Sequence, residues 1–89
     1  MTAPDNSISV IIPNYNGECY LVDCLGSLTK QSFKGLEIIV VDNASTDRSR
    51  ELVRENFPQV KLVSLTNNLG FAAAVNKGIE ASLKEFIIL

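Results

Sequence analysis

Residues 36–47 read LEIIVVDNASTD and carry the structural signal from which the rest of the 89-residue chain can be interpreted. The run from Leu36 to Val41 is rich in branched apolar side chains and is closed at once by Asp42, after which a polar turn begins. A short apolar run bounded by turn residues predicts a buried strand. Strands buried on both faces are typical of parallel sheets that are covered by helices.

Similar units lie on both sides of this strand. The remaining predicted elements are a strand from Ile8 to Ile12 closed by Pro13, a helix from about Glu18 to Gln31, a helix that Pro58 stops, a strand from Val60 to Leu65, a helix from about Phe71 to Lys84 and a strand from Phe86 to Leu89. Strands and helices therefore alternate as β-α-β-α-β-α-β. This order predicts an α/β fold, a Rossmann-like parallel sheet with alternating helices.

Charge and cysteine usage narrow the class of function. The formal net charge is −2 and the basic residues are scattered, so we expect no nucleic-acid partner. Cys19 and Cys24 do not form a metal-ligand pattern, and the chain has no histidine. Free thiols indicate a reducing compartment, so we expect a cytoplasmic protein. Residues 1–7 show no secretory signal pattern and are expected to form a flexible lead-in.

Polar residues collect where the predicted strands end. Pro13, Asn14, Tyr15 and Asn16 follow the first strand, Asp42, Asn43, Ser45 and Asp47 follow the second, and Thr66, Asn67, Asn68 and Gly70 follow the third. Ligands of open α/β sheets bind outside the carboxyl ends of the strands. A carboxylate can accept a hydrogen bond from a ring N–H, and an aromatic ring can stack on a flat base, so Asp42 and Tyr15 together suit a pyrimidine.

Several of these residues also have a purely structural interpretation. Asn43 or Ser45 could cap the second helix, with Asp47 as an acid in its first turn. Tyr15 could simply pack over the edge of the sheet. The sequence lacks the GxGxxG loop of dinucleotide-binding proteins, the GxxxxGK[ST] loop of P-loop proteins and the GxSxG turn of hydrolases, so those classes are disfavoured.

Three motifs carry a family resemblance. SVIIPNYNG (residues 9–17), EIIVVDNASTD (37–47) and NNLGFAAAVNKGI (67–79) closely resemble family 2 glycosyltransferases, most of all the rhamnosyl- and galactosyltransferase-like branch. The resemblance covers residues 8–89. It implies the GT-A fold, whose first half is a nucleotide-binding α/β unit, so we expect residues 8–89 to form the nucleotide-sugar-binding half of such a domain in truncated form.

The resemblance also implies roles for individual residues. The donor-nucleotide contacts that it implies are Pro13, Tyr15, Asn16, Asp42, Asn43, Ser45, Asn68 and Gly70. Among them, Asp42 would hydrogen-bond the base. Asn76 matches a polar position near the diphosphate in relatives, although a solvated helix position explains it as well.

The function implied is the transfer of a sugar, with inversion, from a UDP- or dTDP-sugar to a hydroxyl of a carbohydrate or lipid-linked acceptor. Relatives continue into a DxD-like motif that binds Mg²⁺ or Mn²⁺, and their catalytic base comes later still. Neither is present in this sequence, so we expect the ion only in the full-length enzyme and no useful activity from this chain alone. The complete enzyme would work at the inner face of the membrane.

Two other functions remain open on the sequence. The chain could be a non-catalytic module that binds a nucleotide without turnover. It could also be a structural fragment that self-associates through its unfinished sheet edge, since an exposed apolar strand such as Phe86 to Leu89 favours pairing with another chain. Nucleotide binding that needs Asp42 would support the module, and self-association without any nucleotide effect would support the fragment.

Overall fold

A computed structural model describes residues 8–30, 36–82 and 86–88 of the chain. The elements in these ranges are β1 (Ile8–Asn14), α1 (Glu18–Thr29), β2 (Leu36–Asp42), α2 (Ser49–Asn56), β3 (Lys61–Ser64), α3 (Phe71–Ala81) and β4 (Phe86–Ile88). The predicted α/β class and the order of its elements are confirmed. The predicted lead-in at residues 1–7 and the predicted helix and strand ends at Gln31, Lys84 and Leu89 lie outside the described residues.

The strands form one parallel sheet in the order β3-β2-β1-β4. β1 and β2 pair along their whole length, from Ile8 beside Leu36 to Asn14 beside Asp42. β3 pairs with the other side of β2, and β4 pairs with the other side of β1. Because all four strands run in the same direction, the loops that follow β1, β2 and β3 meet at one edge of the sheet.

Helices cover both faces of the sheet. Successive residues of β2 point to opposite faces, so both sets of its side chains are buried under helices. On one face, Ile38 and Val40 pack with buried residues of α1 and α2, including Leu25 and Val53. On the other face, the buried cluster consists of Ile11, Ile39, Val41 and Ala74, the last of these from α3. This alternation explains why β2 is apolar along almost its whole length.

The close approach of α3 to the sheet depends on a glycine. A Cβ atom built on Gly78 would collide with the Cγ2 methyl of Ile11 in β1. Gly78 therefore lets α3 lie directly on the central strand, and this packing fixes where the N-terminal end of α3 meets the edge of the sheet.

The two central strands continue beyond their predicted ends because backbone hydrogen bonds continue there. The Asn43 N–H donates to the Asn14 carbonyl at 2.8 Å, and the Leu65 N–H donates to the Asp42 carbonyl at 2.8 Å. Pro13 does not end β1 as predicted. The backbone groups of Asn14 point toward β2, so those of the preceding Pro13 point to the opposite side, and the missing N–H costs no bond between β1 and β2.

Candidate functional site

A cleft of about 330 Å³ lies at the carboxyl edge of the sheet. It is lined by Pro13, Asn14, Tyr15, Asn43, Asn68, Gly70 and Phe71. Since β2 lies between β1 and β3, the loop after β2 supplies the centre of the cleft and the loops after β1 and β3 flank it. A small site with apolar walls and a few polar groups fits the usual character of small-molecule sites, which begin at about 300 Å³.

The structure brings five of the predicted site residues to this cleft and leaves three outside its lining. Those that line it are Pro13, Tyr15, Asn43, Asn68 and Gly70. Asn16, Asp42 and Ser45 lie behind it, in the contact between the loops that follow β1 and β2. Whether each residue contacts a nucleotide stays a prediction, but the geometry divides them into a lining set and a supporting set.

Asp42 is the centre of the supporting set. Its side chain is fully buried, at 0% exposure. Oδ1 accepts hydrogen bonds from Asn14 Nδ2 at 3.0 Å and from Ser45 Oγ at 2.7 Å, and Oδ2 accepts one from the Ser45 N–H at 2.9 Å. The Arg50 guanidinium lies 3.7 Å from Oδ2. A direct hydrogen bond to a base requires an exposed oxygen, so this geometry favours a role for Asp42 in joining the loops.

Asn16, in the loop after β1, and Ser45, in the loop after β2, also join these two loops. Asn16 lies in the left-handed region, with φ 53°, which asparagine tolerates better than most residues. Its Oδ1 accepts the N–H groups of Thr46 at 2.8 Å and Asp47 at 3.3 Å. Its own N–H donates to Ser45 Oγ at 2.9 Å. The side chain of Asn16 thus holds the loop after β2 in place and does not line the cleft.

Asn43 connects the centre of the cleft to its far wall. Its Oδ1 accepts the Leu69 N–H at 2.9 Å, and its Nδ2 donates to the Gly70 carbonyl at 3.1 Å. A primary amide has two N–H donors and two acceptor lone pairs, so these two bonds leave one of each unused. The residue is 5% exposed and lines the cleft, which makes its amide the central polar group there.

The predicted capping of the second helix is wrong. α2 begins at Ser49, with Arg48 at the N-cap position and no capping side-chain bond from that residue. Neither side chain caps the helix: Asn43 Nδ2 donates to the Gly70 carbonyl, and Ser45 Oγ donates to Asp42 and accepts the Asn16 N–H. Asp47 likewise precedes α2 and is not in its first turn.

Asp47 instead binds the starts of two helices. Its Oδ2 accepts the Glu18 N–H at the start of α1 at 3.1 Å, and its Oδ1 accepts the Ser49 N–H at the start of α2 at 2.9 Å. Desolvation raises the pKa of Asp47, but the hydrogen bonds from the backbone N–H groups of Ser49 and Glu18 lower it and outweigh the desolvation. The pKa of Asp47 therefore lies below its ordinary value of 3.8.

Two positions near the cleft have positive φ. Ala44, between the central polar residues of the loop after β2, has φ 66°. A left-handed conformation costs a residue with a Cβ roughly 1–2 kcal/mol, so the surrounding hydrogen bonds must hold it. Gly70 has φ 87° and ψ 172°, a region that is essentially restricted to glycine, and it immediately precedes α3.

The two residues that the sequence analysis did not assign to the site are Asn14 and Phe71. Asn14 was placed at the strand end without a role, and its Nδ2 donates to Asp42. The sequence pattern predicts Phe71 only as the beginning of a helix, yet the residue is 69% exposed and lines the cleft. A large aromatic residue directly after a glycine at a helix start was the available signal. Asn76 is exposed on α3 outside the lining, which favours its solvated interpretation.

The described residues do not provide the donor set of a divalent cation. Within residues 8–30, 36–82 and 86–88, no group of three or more histidine, cysteine, aspartate or glutamate side chains could hold a metal ion. Asp42, which ends β2, and Asp47, in the loop after it, are engaged in the hydrogen bonds described above. No helix in the same ranges is long and apolar enough to cross a membrane.

Comparison with known proteins defines the class. The family model described as Glycosyl transferase family 2 matches residues 9–89, and the chain belongs to this family. An uncharacterized glycosyltransferase of Haemophilus influenzae is 40% identical over 83 residues, covering 90% of this chain and 33% of the relative. The glycosyltransferase GlyG of Streptococcus pneumoniae is 39% identical over 85 residues, covering 92% of this chain and 28% of the relative.

Solved structures show the same architecture. S. aureus TarS 1-349, crystallised with UDP and with UDP-GlcNAc, matches with a TM-score of 0.83 and 34% identity over 91% of this chain and 25% of TarS 1-349. The mannosyltransferase PcManGT from Pyrobaculum calidifontis, in complex with GDP-Man and Mn²⁺, matches with a TM-score of 0.79 and 31% identity over 96% of this chain and 28% of PcManGT. The sheet and helices correspond to the N-terminal, Rossmann-like half of GT-A glycosyltransferases. The chain spans a quarter to a third of the length of these relatives.

Proposed function

We propose that the chain is the donor-binding part of a glycosyltransferase that transfers a sugar from a UDP- or dTDP-sugar, with inversion, to a hydroxyl of a carbohydrate or lipid-linked acceptor. The observation that carries this proposal is the cleft at the carboxyl edge, where an exposed tyrosine ring and several amides converge. TarS, which shares this architecture, was crystallised with UDP and UDP-GlcNAc, and these ligands support the same class of donor here.

The chemistry of the cleft suits the nucleoside end of such a donor. Tyr15 is 52% exposed, so its ring has a face available for stacking on a base. Asn43 retains one donor and one acceptor, which match the paired donor and acceptor on the edge of a uracil or thymine ring. Among the described residues, no charged side chain lines the cleft, so a neutral base and ribose can enter it without having to desolvate a charge.

The supporting set of residues gives this cleft its shape. Asp42, Asn16 and Ser45 fix the loops after β1 and β2 to each other, and Asn43 fixes the loop after β2 to that before α3. A preorganised cleft loses less conformational entropy when a ligand binds. We therefore assign Asp42 a positioning role in donor binding, and its direct contact with the base remains the alternative.

The transfer itself would need groups that the cleft does not contain. The described residues that line it include no carboxylate and no imidazole, the usual general bases. Residues for the diphosphate, a Mg²⁺ or Mn²⁺ ion, the sugar and the acceptor would have to come from elsewhere in a full-length enzyme. Within that enzyme, the part described here would bind and orient the nucleoside.

The uncharged cleft also favours a second candidate function. A cleft that binds a nucleoside without any catalytic group could belong to a nucleotide-binding module that performs no turnover. Both candidates predict nucleotide binding, and they differ in whether sugar transfer occurs. An assay of UDP-sugar consumption by the natural full-length protein, with and without Mn²⁺, separates them.

Donor binding can be measured directly by titrating UDP, dTDP, GDP and NAD into the 89-residue chain by calorimetry. We expect UDP or dTDP to bind in preference to GDP and NAD. Tyr15→Ala should weaken this binding, because loss of base stacking costs about 1–3 kcal/mol. Tyr20→Ala is the matched control, since Tyr20 is 78% exposed on α1 and does not line the cleft.

A folded chain that binds none of the four nucleotides would contradict the donor site. Equal binding of NAD and UDP would contradict its selectivity. Equal losses in Tyr15→Ala and Tyr20→Ala would show that the ligand binds elsewhere.

A further inference from the structure

Exposed apolar side chains cluster at the cleft. Within the described residues, six large apolar side chains are exposed: Tyr15, Tyr20, Val22, Leu69, Phe71 and Ile79. Three of them lie near the carboxyl edge of the sheet: Tyr15 and Leu69 in loops and Phe71 at the start of α3. Two of these, Tyr15 and Phe71, line the cleft. Single exposed apolar residues need no explanation, but two aromatic rings in one small cleft indicate a binding surface.

The two rings come from different parts of the fold and line the same cleft. Tyr15 follows β1, Phe71 begins α3 after β3, and β2 lies between these strands. Asn43, directly after β2, lines the cleft together with both aromatic residues. Its side chain is hydrogen-bonded to both Leu69 and Gly70, so it also fixes the segment that presents Phe71.

The backbone before Phe71 is held in an uncommon conformation. Gly70 has φ 87° and ψ 172°, and its N–H donates to Asn68 Oδ1 at 2.9 Å. A Cβ on Gly70 would meet nothing within 4 Å, so the requirement for glycine comes from the backbone and not from packing. This turn directs the chain into α3 and leaves the Phe71 ring 69% exposed at the cleft instead of packed in the core.

We propose that Phe71 is a second aromatic contact for the nucleoside, in addition to Tyr15, in the cleft that the Asn43 amide also lines. This inference rests on the proposed donor function and adds a specificity-determining residue to it. A second aromatic contact favours ligands that carry a flat aromatic group. The contact is with the base, so it acts equally on a nucleoside and on its diphosphate.

The first test compares uridine and UDP binding to Phe71→Ala, Phe71→Leu and the control Tyr20→Ala by calorimetry. Alanine-scanning values for base stacking correspond to a roughly 5- to 150-fold loss of affinity. We expect Phe71→Ala to lose affinity for uridine and UDP by the same factor within this range. Phe71→Leu should recover only part of the loss, because it restores apolar area without a ring, and Tyr20→Ala should bind as the wild type does.

The second test uses the absence of tryptophan from the sequence. Phe71→Trp introduces a single indole at the cleft while keeping an aromatic ring, and Tyr20→Trp introduces one on α1. We expect UDP to quench the fluorescence of Phe71→Trp in a saturable manner, with a dissociation constant that agrees with the one from calorimetry. The fluorescence of Tyr20→Trp should not change. This variant keeps the proposal testable if Phe71→Ala does not fold.

The outcomes separate this inference from the function on which it rests. Wild-type binding of UDP together with undiminished binding by Phe71→Ala, or without quenching in Phe71→Trp, would overturn the role of Phe71 and leave the donor site standing. A folded wild-type chain that binds neither uridine nor UDP would overturn both. A loss confined to UDP, with uridine binding unchanged, would move Phe71 from the base to the diphosphate and would also overturn the inference.

Discussion

The Asp42 carboxylate is buried between two loops and accepts hydrogen bonds from Asn14 and Ser45 while lying 3.7 Å from the Arg50 guanidinium. Asn14 and Ser45 are themselves buried, so water could not replace the carboxylate as their hydrogen-bond acceptor. The residue therefore connects the stability of the fold to the shape of the cleft. A change at this position should affect the free energy of unfolding as well as ligand binding.

We expect Asp42→Ala to destabilise the chain by about 3 kcal/mol, because it leaves buried polar partners without their acceptor. The measurement is urea unfolding followed by circular dichroism. Asp23→Ala, at an exposed position on α1, is the matched control and should change little. A loss of nucleotide binding in Asp42→Ala with an unchanged free energy of unfolding would contradict the positioning role and favour direct contact with the base.

The lowered pKa of Asp47 predicts how the stability of the fold depends on pH. Its pKa in the folded chain lies below the ordinary value of 3.8, so the ionised carboxylate stabilises the fold at pH values above 3.8. This contribution is lost as the pH falls through the lower folded-state pKa. Asp47→Asn should therefore be less stable than the wild type at pH 7, and the difference should shrink as the pH falls below 3.8.

The measurement is the unfolding midpoint in urea between pH 7 and strongly acidic conditions, with Asp23→Asn as an exposed control. The expected difference is modest, because Asp47 remains partly exposed to solvent. A difference between wild type and Asp47→Asn that does not depend on pH would contradict the role of the charge at the two helix starts.

At the scale of the elements, the packing of α3 on β1 depends on Gly78. Gly78→Ala should destabilise the chain by about 1–3 kcal/mol, because the added methyl collides with Ile11 and overpacks the interface. Gly26→Ala is its control within another helix, where a Cβ meets nothing within 4 Å. That substitution should stabilise the chain by about 0.5–1 kcal/mol through helix propensity. Equal effects of the two substitutions on thermal unfolding would contradict the close packing of α3.

The order of the elements was predictable because it depends on local patterns. The apolar runs of β1 and β2 and the spacing of Leu21, Leu25 and Leu28 in α1 reflect burial that any packed α/β sheet requires. The capping of α2 was not predictable in the same way. Ser45 is a good capping residue by type, but its hydroxyl is engaged by Asp42 and by the Asn16 N–H, contacts that exist only in the folded chain.

The candidate site was predictable in position but not in detail. Parallel strands place their loops at one edge, so the residues after β1, β2 and β3 were expected to meet there. Which of them line the cleft depends on the direction of individual side chains. Asp42 and Asn43 are adjacent in sequence, yet one joins the loops behind the cleft and the other lines it. Phe71 was missed because its exposure follows from the backbone turn at Gly70.

At the scale of the whole molecule, ligand binding should depend little on divalent ions. The described residues contain no cluster of metal-binding side chains, and the cleft is lined by uncharged residues. We expect the affinity of the 89-residue chain for UDP to be the same with Mn²⁺ and with EDTA, and calorimetry under both conditions checks this. A marked gain in affinity with Mn²⁺ would show that the chain contributes ligands to the ion.

The molecule is small enough, at 9.7 kDa, for its amide resonances to be followed individually by NMR. Titration of UDP into the ¹⁵N-labelled chain tests the central claim most directly, because it locates the ligand on the surface. We predict that the largest shift changes fall on Tyr15, on Asn43 and on residues 68–71, with the exposed face of α1 around Tyr20 unaffected. Shift changes that are absent, or that centre on α1 or α2 away from the carboxyl edge of the sheet, would contradict the proposal that this cleft binds the donor nucleotide.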